Sequence, residues 1–378
     1  MQCIDTLSAK DLQGKRVLVR AGLDLSLTKN GDVADFFRVK RACPTLQYLT
    51  DAGARVIILS HIGRDPSASN KPVARALKRY LPAVFIPDLT GTIAQNAVSS
   101  MKPGEIAVLE NLRCDPREVA NDEGFARELA ALGDIYVDDA FSAAHRTHAS
   151  IAGIPKFLPH YAGLLLADEI KILDEARRPE HPSIAILGGA KFETKAPLIQ
   201  SLLINYDHLF IAGALANDVF KAQGLEVGIS LISKELPGPE VLRHPHFVAP
   251  VDVTVERPDK QARVKKPSEV NTDEKIVDVG PDSIAKIAPL IAESKYILWN
   301  GPTGIYEAGY TSYTHAIAEL VAKAVDGGAK CVIGGGDTIA AIKESGVSEE
   351  RLGFLSTGGG AMLEYLLKGT LPGIEALK

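Results

Sequence analysis

The sequence predicts an α/β fold of two Rossmann-like lobes, each a parallel β-sheet flanked by helices, joined by a hinge helix. Three observations support this prediction. Short apolar runs with little polar alternation recur through both halves of the chain, which is typical of strands buried on both faces of a parallel sheet. Amphipathic segments lie between many of these runs. The 378 residues favour two domains, because single cores seldom grow beyond about 250–300 residues.

The predicted strands and helices alternate along the chain. The first half contains the apolar runs RVLVR, ARVIILS, AVFIP, EIAVLE and DIYVDDA. The second half contains SIAILGG, HLFIAGA, FVAPVDVTV, KIVDVG, YILWNG, CVIGGG and FLSTGGG, all of which we expect in a parallel sheet. The main helical segments are FRVKRACPTLQYLTDAG, NDEGFARELAALG, SIAKIAPLIAES and YTHAIAELVAKAVDGG.

The alternation breaks at residues 161–182, YAGLLLADEIKILDEARRPEHP. The middle of this segment predicts one amphipathic helix, and a charged segment with prolines follows it. We therefore predict a first domain over residues 1–165 and a hinge helix over 166–180. A second domain follows over 181–360, with a C-terminal segment over 361–378.

The composition excludes several classes of function. The formal net charge of −5 argues against nucleic acid or an anionic membrane surface as a partner. No apolar run approaches the roughly 18 residues of a membrane-spanning helix. The start, MQCIDTLSAK, has no basic or apolar region typical of an export signal. The four cysteines are scattered without metal-ligand spacing, so we expect reduced thiols and a cytoplasmic protein.

Basic residues follow the predicted strands of the first half. Ligands of open parallel sheets bind beyond the carboxyl ends of the strands, so these residues are candidates for one site. A single arginine at such a place more often makes an ion pair, but several together favour a small, multiply anionic ligand. The candidates are Arg20, His61, Arg64, Arg113 and Arg146 at strand exits, with Arg38 at the start of a helix.

Glycine-rich turns follow the strands of the second half. Gly188 and Gly189 precede Lys191 and Lys195, whose spacing would place both lysines on one face if a helix starts there. The turns WNGPTGIYE, VIGGGDTIAAIK and LSTGGGAMLEYLLKG expose backbone N–H groups, which bind phosphates. Asp337 is expected at a helix N-cap, where a carboxylate serves as a cap or helps to hold Mg²⁺ beside a polyphosphate.

The chain has neither a GxxxxGK[ST] loop nor the HRD and DFG motifs of protein kinases. What remains is one candidate anion site in each lobe, with a hinge between them. This arrangement predicts a transfer reaction between two substrates, with a nucleotide on one lobe and an acidic metabolite on the other. Closure of the lobes would bring the two together.

The ordered motifs GKRVLVR, SHIGR, LENLR, DDAFSAAHRTHAS, LGGAKFETK, DVGPDSI, WNGPTGIYE, GGGDTIAAI and STGGGAMLEYL resemble those of phosphoglycerate kinases. The resemblance runs from about residue 4 to residue 376. It implies reversible phosphoryl transfer between 1,3-bisphosphoglycerate and ADP, giving 3-phosphoglycerate and MgATP, without a covalent intermediate. It also implies a monomer, and a C-terminal segment that returns to the first lobe.

The resemblance also implies roles for individual residues. Arg38 and Lys195 would act on the transferred phosphoryl group, together with the backbone of Gly358, Gly359 and Gly360. Asp337 would orient Mg²⁺ on the nucleotide. The implied acidic-substrate site comprises Gly22, Asp24, Arg38, His61, Arg64, Arg113 and Arg146. The implied nucleotide site comprises Gly189, Lys191, Lys195, Gly213, Asn300, Glu307, Gly335, Gly336, Asp337 and Thr338.

The segment after the first strand departs from the family. Phosphoglycerate kinases usually have the pattern R-x-D-x-N-x-P there. In this chain the aspartate is replaced by Gly22, the asparagine by Asp24 and the proline by Ser26. In an extended segment the carboxylate would stay on the same face but move about 7 Å. We expect Asp24 to accept a hydrogen bond from the substrate hydroxyl, and water or a neighbour to fill the space at Gly22. Ser142 also stands where the family has glycine.

Two alternatives to an active phosphoglycerate kinase remain at this point. One is a kinase for a related small acid, for which the altered first motif would be adapted. The other is a non-catalytic paralogue that binds nucleotide. The second alternative is disfavoured because Arg38, Lys191, Lys195 and Asp337 are all present, and a decayed enzyme should have lost some of them.

Overall fold

The structure is a computed structural model that describes residues 1–378. The chain forms two compact units. The first unit comprises Met1–Lys171 and Thr370–Lys378, and the second comprises Ile172–Gly369.

A six-stranded, fully parallel sheet forms the centre of the first unit, with the strand order β3-β4-β2-β1-β5-β6. Its strands are β1 (Arg16–Ala21), β2 (Arg55–Leu59), β3 (Ala83–Phe85), β4 (Ile106–Val108), β5 (Ile135–Asp139) and β6 (His160–Ala162). Its helices are α1 (Ala9–Leu12), α2 (Phe37–Asp51), α3 (Lys71–Leu77), α4 (Thr92–Ser100) and α5 (Glu123–Ala130). The strands are buried because helices cover both faces of the sheet, as the apolar runs predict.

Helix α6 (Leu164–Arg177) follows β6 and includes the residue at which the first unit ends. It overlaps the predicted hinge helix 166–180. The last nine residues of the chain belong to the first unit, where the Gly373 N–H donates to the Ala144 carbonyl. The domain limits and the role of α6 as a hinge stay predictions.

The second unit contains another six-stranded parallel sheet, with the order β15-β14-β13-β7-β8-β9, and a three-stranded antiparallel sheet, β11-β10-β12. The strands are β7 (Ser183–Leu187), β8 (His208–Ile211), β9 (Phe247–Val248), β10 (Val253–Glu256), β11 (Ala262–Lys265), β12 (Lys275–Val279), β13 (Tyr296–Asn300), β14 (Lys330–Gly334) and β15 (Phe354–Leu355). The helices are α7 (Phe192–Asn205), α8 (Ala214–Ala222), α9 (Pro239–Leu242), α10 (Pro281–Glu293), α11 (Ser312–Asp326), α12 (Gly336–Lys343), α13 (Gly359–Lys368) and α14 (Pro372–Ala376), the last of which lies in the first unit.

The prediction that every apolar run joins a parallel sheet is wrong for two runs. FVAPVDVTV divides into β9 and β10, and KIVDVG forms β12, which pairs antiparallel with β10. Val253 and Val255 pack with Ile276 in a small core of their own, while the residues between and after them are polar. That alternation is typical of an antiparallel sheet with one covered face. None of the helices is both long and apolar enough to cross a membrane.

Candidate active site

The carboxyl ends of β1, β2, β4 and β5 meet at one edge of the first unit's sheet, and an open depression of about 810 Å³ lies in this unit. Arg64, Arg113, Arg146 and His148 line the depression with Pro66, Pro116, Val119 and Ala120. The structure thus brings together three of the arginines that follow separate strands in the sequence. A cleft with cations on its walls attracts small anions.

The cations of this depression repel one another. Burial lowers the pKa of Arg146, and the charges of Arg113 and Arg20 lower it further. Burial also lowers the pKa of Arg113, where the charges of Arg20 and Arg64 act in the same direction. A bound anion would relieve this repulsion, so the site is arranged for negative charge.

His61 contacts one lining residue of the depression, Arg146, and Arg20 contacts its other ring nitrogen. The Arg20 guanidinium is fully buried and donates to His61 Nδ1 at 2.8 Å, to Ser150 Oγ at 3.0 Å and to the Ala21 carbonyl at 2.7 Å. Because arginine only donates, Nδ1 accepts from Arg20.

His61 Nε2 faces a second donor, Arg146 NH1 at 3.2 Å, and one acceptor, the Asp24 carboxylate. The imidazole proton is assigned to Nε2, where Asp24 accepts it. Burial lowers the pKa of His61 to about 4, despite the hydrogen bond to Asp24. His61 is therefore neutral at pH 7 and presents one N–H.

Asp24 holds the neighbouring loop. Its Oδ1 accepts the Gly63 N–H at 2.8 Å, and its Oδ2 lies 3.4 Å from His61 Nε2. Partial burial disfavours the Asp24 carboxylate, but hydrogen bonds from His61 and Gly63 and the charge of Arg38 outweigh it and lower the pKa to about 2. Arg113 donates to the Gly63 carbonyl, so both peptide groups of Gly63 are engaged. Asp24 is thus an ionised group that positions His61 and the Gly63 turn.

Arg38 lies in the first turn of α2, as the sequence predicts. It donates to Ser142 Oγ at 2.9 Å and contacts the Gly22 carbonyl at 3.5 Å. Burial lowers the pKa of Arg38, and the charges of Asp24, Glu169 and Asp35 oppose this effect. The space at Gly22 is filled by a neighbour, because a Cβ there would lie 3.1 Å from Ser142 Oγ.

Three strand ends of the second unit approach one another through glycines. A Cβ on Gly188 would lie 2.2 Å from the Pro302 carbonyl oxygen, and a Cβ on Gly301 would lie 2.4 Å from the Gly188 carbonyl carbon. A Cβ on Gly213 would lie 2.7 Å from the Gly189 nitrogen, and Gly213 and Gly301 have φ of +62° and +96°. These close approaches leave room for glycine only, and they bring the exits of β7, β8 and β13 together.

The two predicted lysines follow β7, but they do not share a helix face. Lys191 precedes α7 with φ of +66°, outside the helix, because the Gly189–Lys191 turn delays the helix start. Lys195 lies in the first turn and donates from Nζ to the Ala190 carbonyl at 2.6 Å. Burial lowers the pKa of Lys195, and the nearby Lys191 adds to this effect. Both cations still flank the same turn.

Ser233 and Asp218 support that turn and were missed by the sequence analysis. The first N–H of α7, from Phe192, donates to Ser233 Oγ at 2.8 Å. The Ser233 hydroxyl donates in turn to the buried carboxylate of Asp218 at 2.8 Å. Ser233 is 41 residues from Phe192 in sequence, and no local pattern signals the contact.

A cleft of about 370 Å³ lies beside these turns in the second unit. Ala216, Leu231, Val253 and Ile276 give it an apolar wall, which suits a flat base. Gly189, Gly213, Glu307 and Asp337 also line it, as the sequence predicts. Asp278, a further lining residue, was not among the predicted residues, and burial raises its pKa to about 7.

Asp337 is not the N-cap of α12, contrary to expectation. The cap is Gly335, with φ of +100°, and Asp337 is the second helical residue. Its Oδ1 accepts a hydrogen bond from the Tyr306 hydroxyl at 3.1 Å, and its side chain is exposed at the cleft. Asp337 is thus an exposed carboxylate in the first turn of α12, at the edge of the cleft.

The remaining predicted residues surround the start of α12. The Thr338 hydroxyl accepts the Gly301 N–H at 2.7 Å and donates to the Gly334 carbonyl at 2.9 Å, so its side chain joins two strand ends. Asn300 is buried at the end of β13, and a Cβ on Gly335 would lie 3.3 Å from its amide nitrogen. The N-termini of α12 and α13 lie side by side, since a Cβ on Gly359 would lie 3.2 Å from Gly335 Cα. Helix α12 begins at Gly336, and α13 begins at Gly359, between Gly358 and Gly360.

The donor groups fit a cation that is shared with a nucleotide. No cluster of three or more histidine, cysteine, aspartate or glutamate side chains is present that could hold a metal ion alone. Mg²⁺ usually takes one or two carboxylates together with substrate phosphates. An exposed carboxylate, Asp337, beside two helix N-termini meets that description.

The comparisons with known proteins agree with this arrangement. The sequence pattern of the phosphoglycerate kinase family matches residues 7–369. The phosphoglycerate kinase of Streptomyces avermitilis is 40% identical, covering 100% of both chains. That of Chloroflexus aggregans is 38% identical, covering 99% of this chain and 98% of its own.

Two solved structures show the same fold. Phosphoglycerate kinase from Coxiella burnetii has a TM-score of 0.81 and 35% identity, covering 99% of this chain and 97% of its own. Phosphoglycerate kinase from Pyrococcus horikoshii OT3 has a TM-score of 0.84 and 28% identity, covering 100% of this chain and 98% of its own. The chain therefore belongs to the phosphoglycerate kinase family, the phosphotransferases that move a phosphoryl group reversibly between 1,3-bisphosphoglycerate and ADP in glycolysis.

Proposed function

We propose that the first unit binds 3-phosphoglycerate or 1,3-bisphosphoglycerate and that the second unit binds ATP or ADP. One observation carries the proposal: Arg64, Arg113 and Arg146 surround one open depression at a sheet edge of the first unit. Guanidinium groups match carboxylate and phosphate oxygens in pairs, so the depression suits a ligand that carries both. The apolar cleft of the second unit suits a nucleoside.

In the proposed reaction, a carboxylate oxygen of 3-phosphoglycerate attacks the terminal phosphorus of ATP. The bond from that phosphorus to the bridging oxygen breaks, and ADP leaves with the electron pair. No base is needed because the attacking carboxylate is already ionised at pH 7. The transferred group carries charge on its oxygens, so catalysis consists of positioning and charge stabilisation.

Arg38 and Lys195 would stabilise the transferred group, from the acidic-substrate side and the nucleotide side respectively. The N–H groups at the start of α13, Gly358–Gly360, would assist. Support comes from Arg38, which is half-buried, and from Lys195, whose pKa is lowered by burial. Charges removed from water act more strongly on a ligand than fully solvated ones.

His61 and Asp24 would bind rather than transfer protons. A neutral His61 would take part in binding the acidic substrate at its Nε2 edge, which faces Asp24 and Arg146. Asp24 would accept the substrate hydroxyl with the lone pairs that its contacts to His61 and Gly63 leave available. Gly22 would contribute its backbone and the space beside it.

On the nucleotide side, Lys191 and the turn glycines Gly189, Gly213, Gly335 and Gly336 would contact phosphates, and Glu307 would contact the ribose. Asn300 and Thr338 would hold those turns in place. Asp337 would hold Mg²⁺ that arrives with the nucleotide. When bound, that ion neutralises phosphate charge and orients the polyphosphate.

Transfer in a single step requires the two substrates in contact. We propose that the two units close through α6, the hinge helix, with the C-terminal segment anchored in the first unit. Small-angle scattering with and without both substrates tests this: the radius of gyration should decrease only when both are bound. We also propose a monomer, which gel filtration tests.

A coupled assay with 3-phosphoglycerate and MgATP tests the proposed function. Robust turnover is expected. Binding of nucleotide without turnover would indicate the non-catalytic paralogue instead. Transfer only to another small acid would indicate the related kinase.

A further inference from the structure

Gly22 and Ser142 lie far apart in sequence but share one space in the first unit. The register of the sheet pairs Ala21 at the end of β1 with Asp139 at the end of β5. The chain continues from these partners to Gly22 on one side and to Ser142, in a short 3₁₀ turn, on the other. A Cβ on Gly22 would lie 3.1 Å from Ser142 Oγ, so the hydroxyl stands where a side chain of residue 22 would begin.

The Ser142 hydroxyl has a partner that matters for the reaction. It accepts from Arg38 NH1 at 2.9 Å. The contact of the same nitrogen to the Gly22 carbonyl measures 3.5 Å and is at the limit of a hydrogen bond. Ser142 therefore contributes a well-formed hydrogen bond to the orientation of the Arg38 guanidinium.

We propose that Ser142 is a positioning residue that orients Arg38 toward the transferred phosphoryl group from the space that Gly22 leaves open. This inference rests on the proposed function, because it takes the role of Arg38 from there. A hydroxyl orients the guanidinium without adding negative charge. A carboxylate in the same space would hold Arg38 too, but it would cancel part of the charge that stabilises the transferred group.

Positions 22 and 142, which lie in separate segments, are therefore coupled through one shared space. A larger residue at position 22 must shift the Ser142 hydroxyl, and loss of that hydroxyl removes the 2.9 Å hydrogen bond of Arg38 NH1. The effects of changes at positions 22 and 142 should therefore not be additive.

The test measures kcat and KM for 3-phosphoglycerate and MgATP in Ser142→Ala, Ser142→Thr and Ser99→Ala. Ser99 is the matched control, since it is an exposed serine of the first unit whose hydroxyl donates to the Gln95 carbonyl in α4. Loss of a hydrogen bond to a charged group should lower the kcat of Ser142→Ala roughly ten-fold, with the KM for MgATP unchanged. Ser142→Thr keeps the hydroxyl and should retain kcat, as should Ser99→Ala.

A second pair of variants tests the shared space without relying on activity. Gly22→Ala should lower both kcat and the thermal unfolding midpoint, because the added methyl meets Ser142 Oγ. Adding Ser142→Gly to Gly22→Ala should restore the midpoint but not kcat, since the hydroxyl is then absent. Wild-type kcat in Ser142→Ala, or equal losses in Ser142→Ala and Ser142→Thr, would overturn the inference. Failure of Ser142→Gly to restore the midpoint would also overturn it.

These outcomes separate this inference from the proposed function. Absence of wild-type turnover would overturn the proposed function, and the role of Arg38 with it. Normal wild-type turnover with an unaffected Ser142→Ala variant would overturn the inference about Ser142 alone.

Discussion

Asp139 is a buried carboxylate that contacts the first turn of α6. It is buried at the end of β5, and its Oδ1 accepts the Leu166 N–H at 3.2 Å in the first turn of that helix. Its Oδ2 is buried without a hydrogen-bond partner. Burial raises the pKa of Asp139 to about 7, although hydrogen bonds from Thr45 and Leu166 oppose the rise.

The magnitude follows from the two pKa values. The unfolded chain loses this proton near pH 3.8, whereas the folded chain keeps it until about pH 7. Between these values the folded state binds one proton more, so the free energy of unfolding falls as pH rises. A pKa difference of about three, at 1.36 kcal/mol for each pKa unit, gives about 4 kcal/mol lost between pH 4 and pH 8.

Asp139→Asn should remove this loss, because the amide keeps an oxygen for the Leu166 N–H and never ionises. We expect the stability of Asp139→Asn relative to wild type to increase by about 4 kcal/mol between pH 4 and pH 8. Urea denaturation followed by far-UV circular dichroism measures it. The single tryptophan, Trp299, lies in the second unit, so its fluorescence reports separately on that unit.

Asp32→Asn is the matched control, because it removes an exposed carboxylate of the first unit. Its stability relative to wild type should change little with pH. A relative stability of Asp139→Asn that stays constant or decreases from pH 4 to pH 8 would refute the reasoning.

Three further predictions concern the two candidate sites. Lys195→Met should lower kcat ~100-fold or more with the fold intact, because a partly desolvated cation is lost; steady-state kinetics and circular dichroism check both points. Asp24→Ala should raise the KM for 3-phosphoglycerate about ten-fold, because His61 and the Gly63 turn lose their anchor, and unchanged kinetics would contradict the assigned role. Gly301→Ala should destabilise the second unit by at least about 2 kcal/mol, since φ is +96° and the methyl would meet Gly188. Trp299, which donates to the Gly301 carbonyl at 2.9 Å, provides the fluorescence signal, and an unchanged unfolding midpoint would show that the turn adapts.

Both parallel sheets could be predicted because the pattern of their strands is local. The runs VLVR and SIAIL each contain three or four consecutive apolar residues, which is typical of a strand covered on both faces. The antiparallel sheet was not predicted, although VDVTV alternates apolar and polar residues, because the alternation covers only five residues and lies within the longer apolar run FVAPVDVTV. Ala216 and Phe220 of α8 pack in the same core as Val253, Val255 and Ile276, and this contact between distant segments has no local signal in the sequence.

The cations of the first unit could be predicted to lie near one another because parallel strands end at a common edge. The burial of Arg20 could not be predicted in this way. Arg20 follows its strand as the other arginines do, yet it is fully buried and binds His61 Nδ1. The position of a residue at the end of a strand predicts which edge of the sheet it lies at. It does not predict how far its side chain is buried, because that depends on the segments that pack over it.

The exchange at residues 22 and 24 illustrates the same limit and has a consequence for charge. The sequence suggests a carboxylate that has moved along the strand. The structure adds that the Ser142 hydroxyl, from a distant segment, accepts a hydrogen bond from Arg38. Asp24, with a pKa of about 2, is ionised throughout the physiological range and stands beside a neutral His61 rather than in hydrogen-bond contact with Arg38. If Ser142 orients Arg38 as proposed, a hydroxyl rather than a carboxylate holds the guanidinium, and the positive charge of Arg38 would stay available to the transferred group. Phosphoryl transfer by charge stabilisation requires that condition.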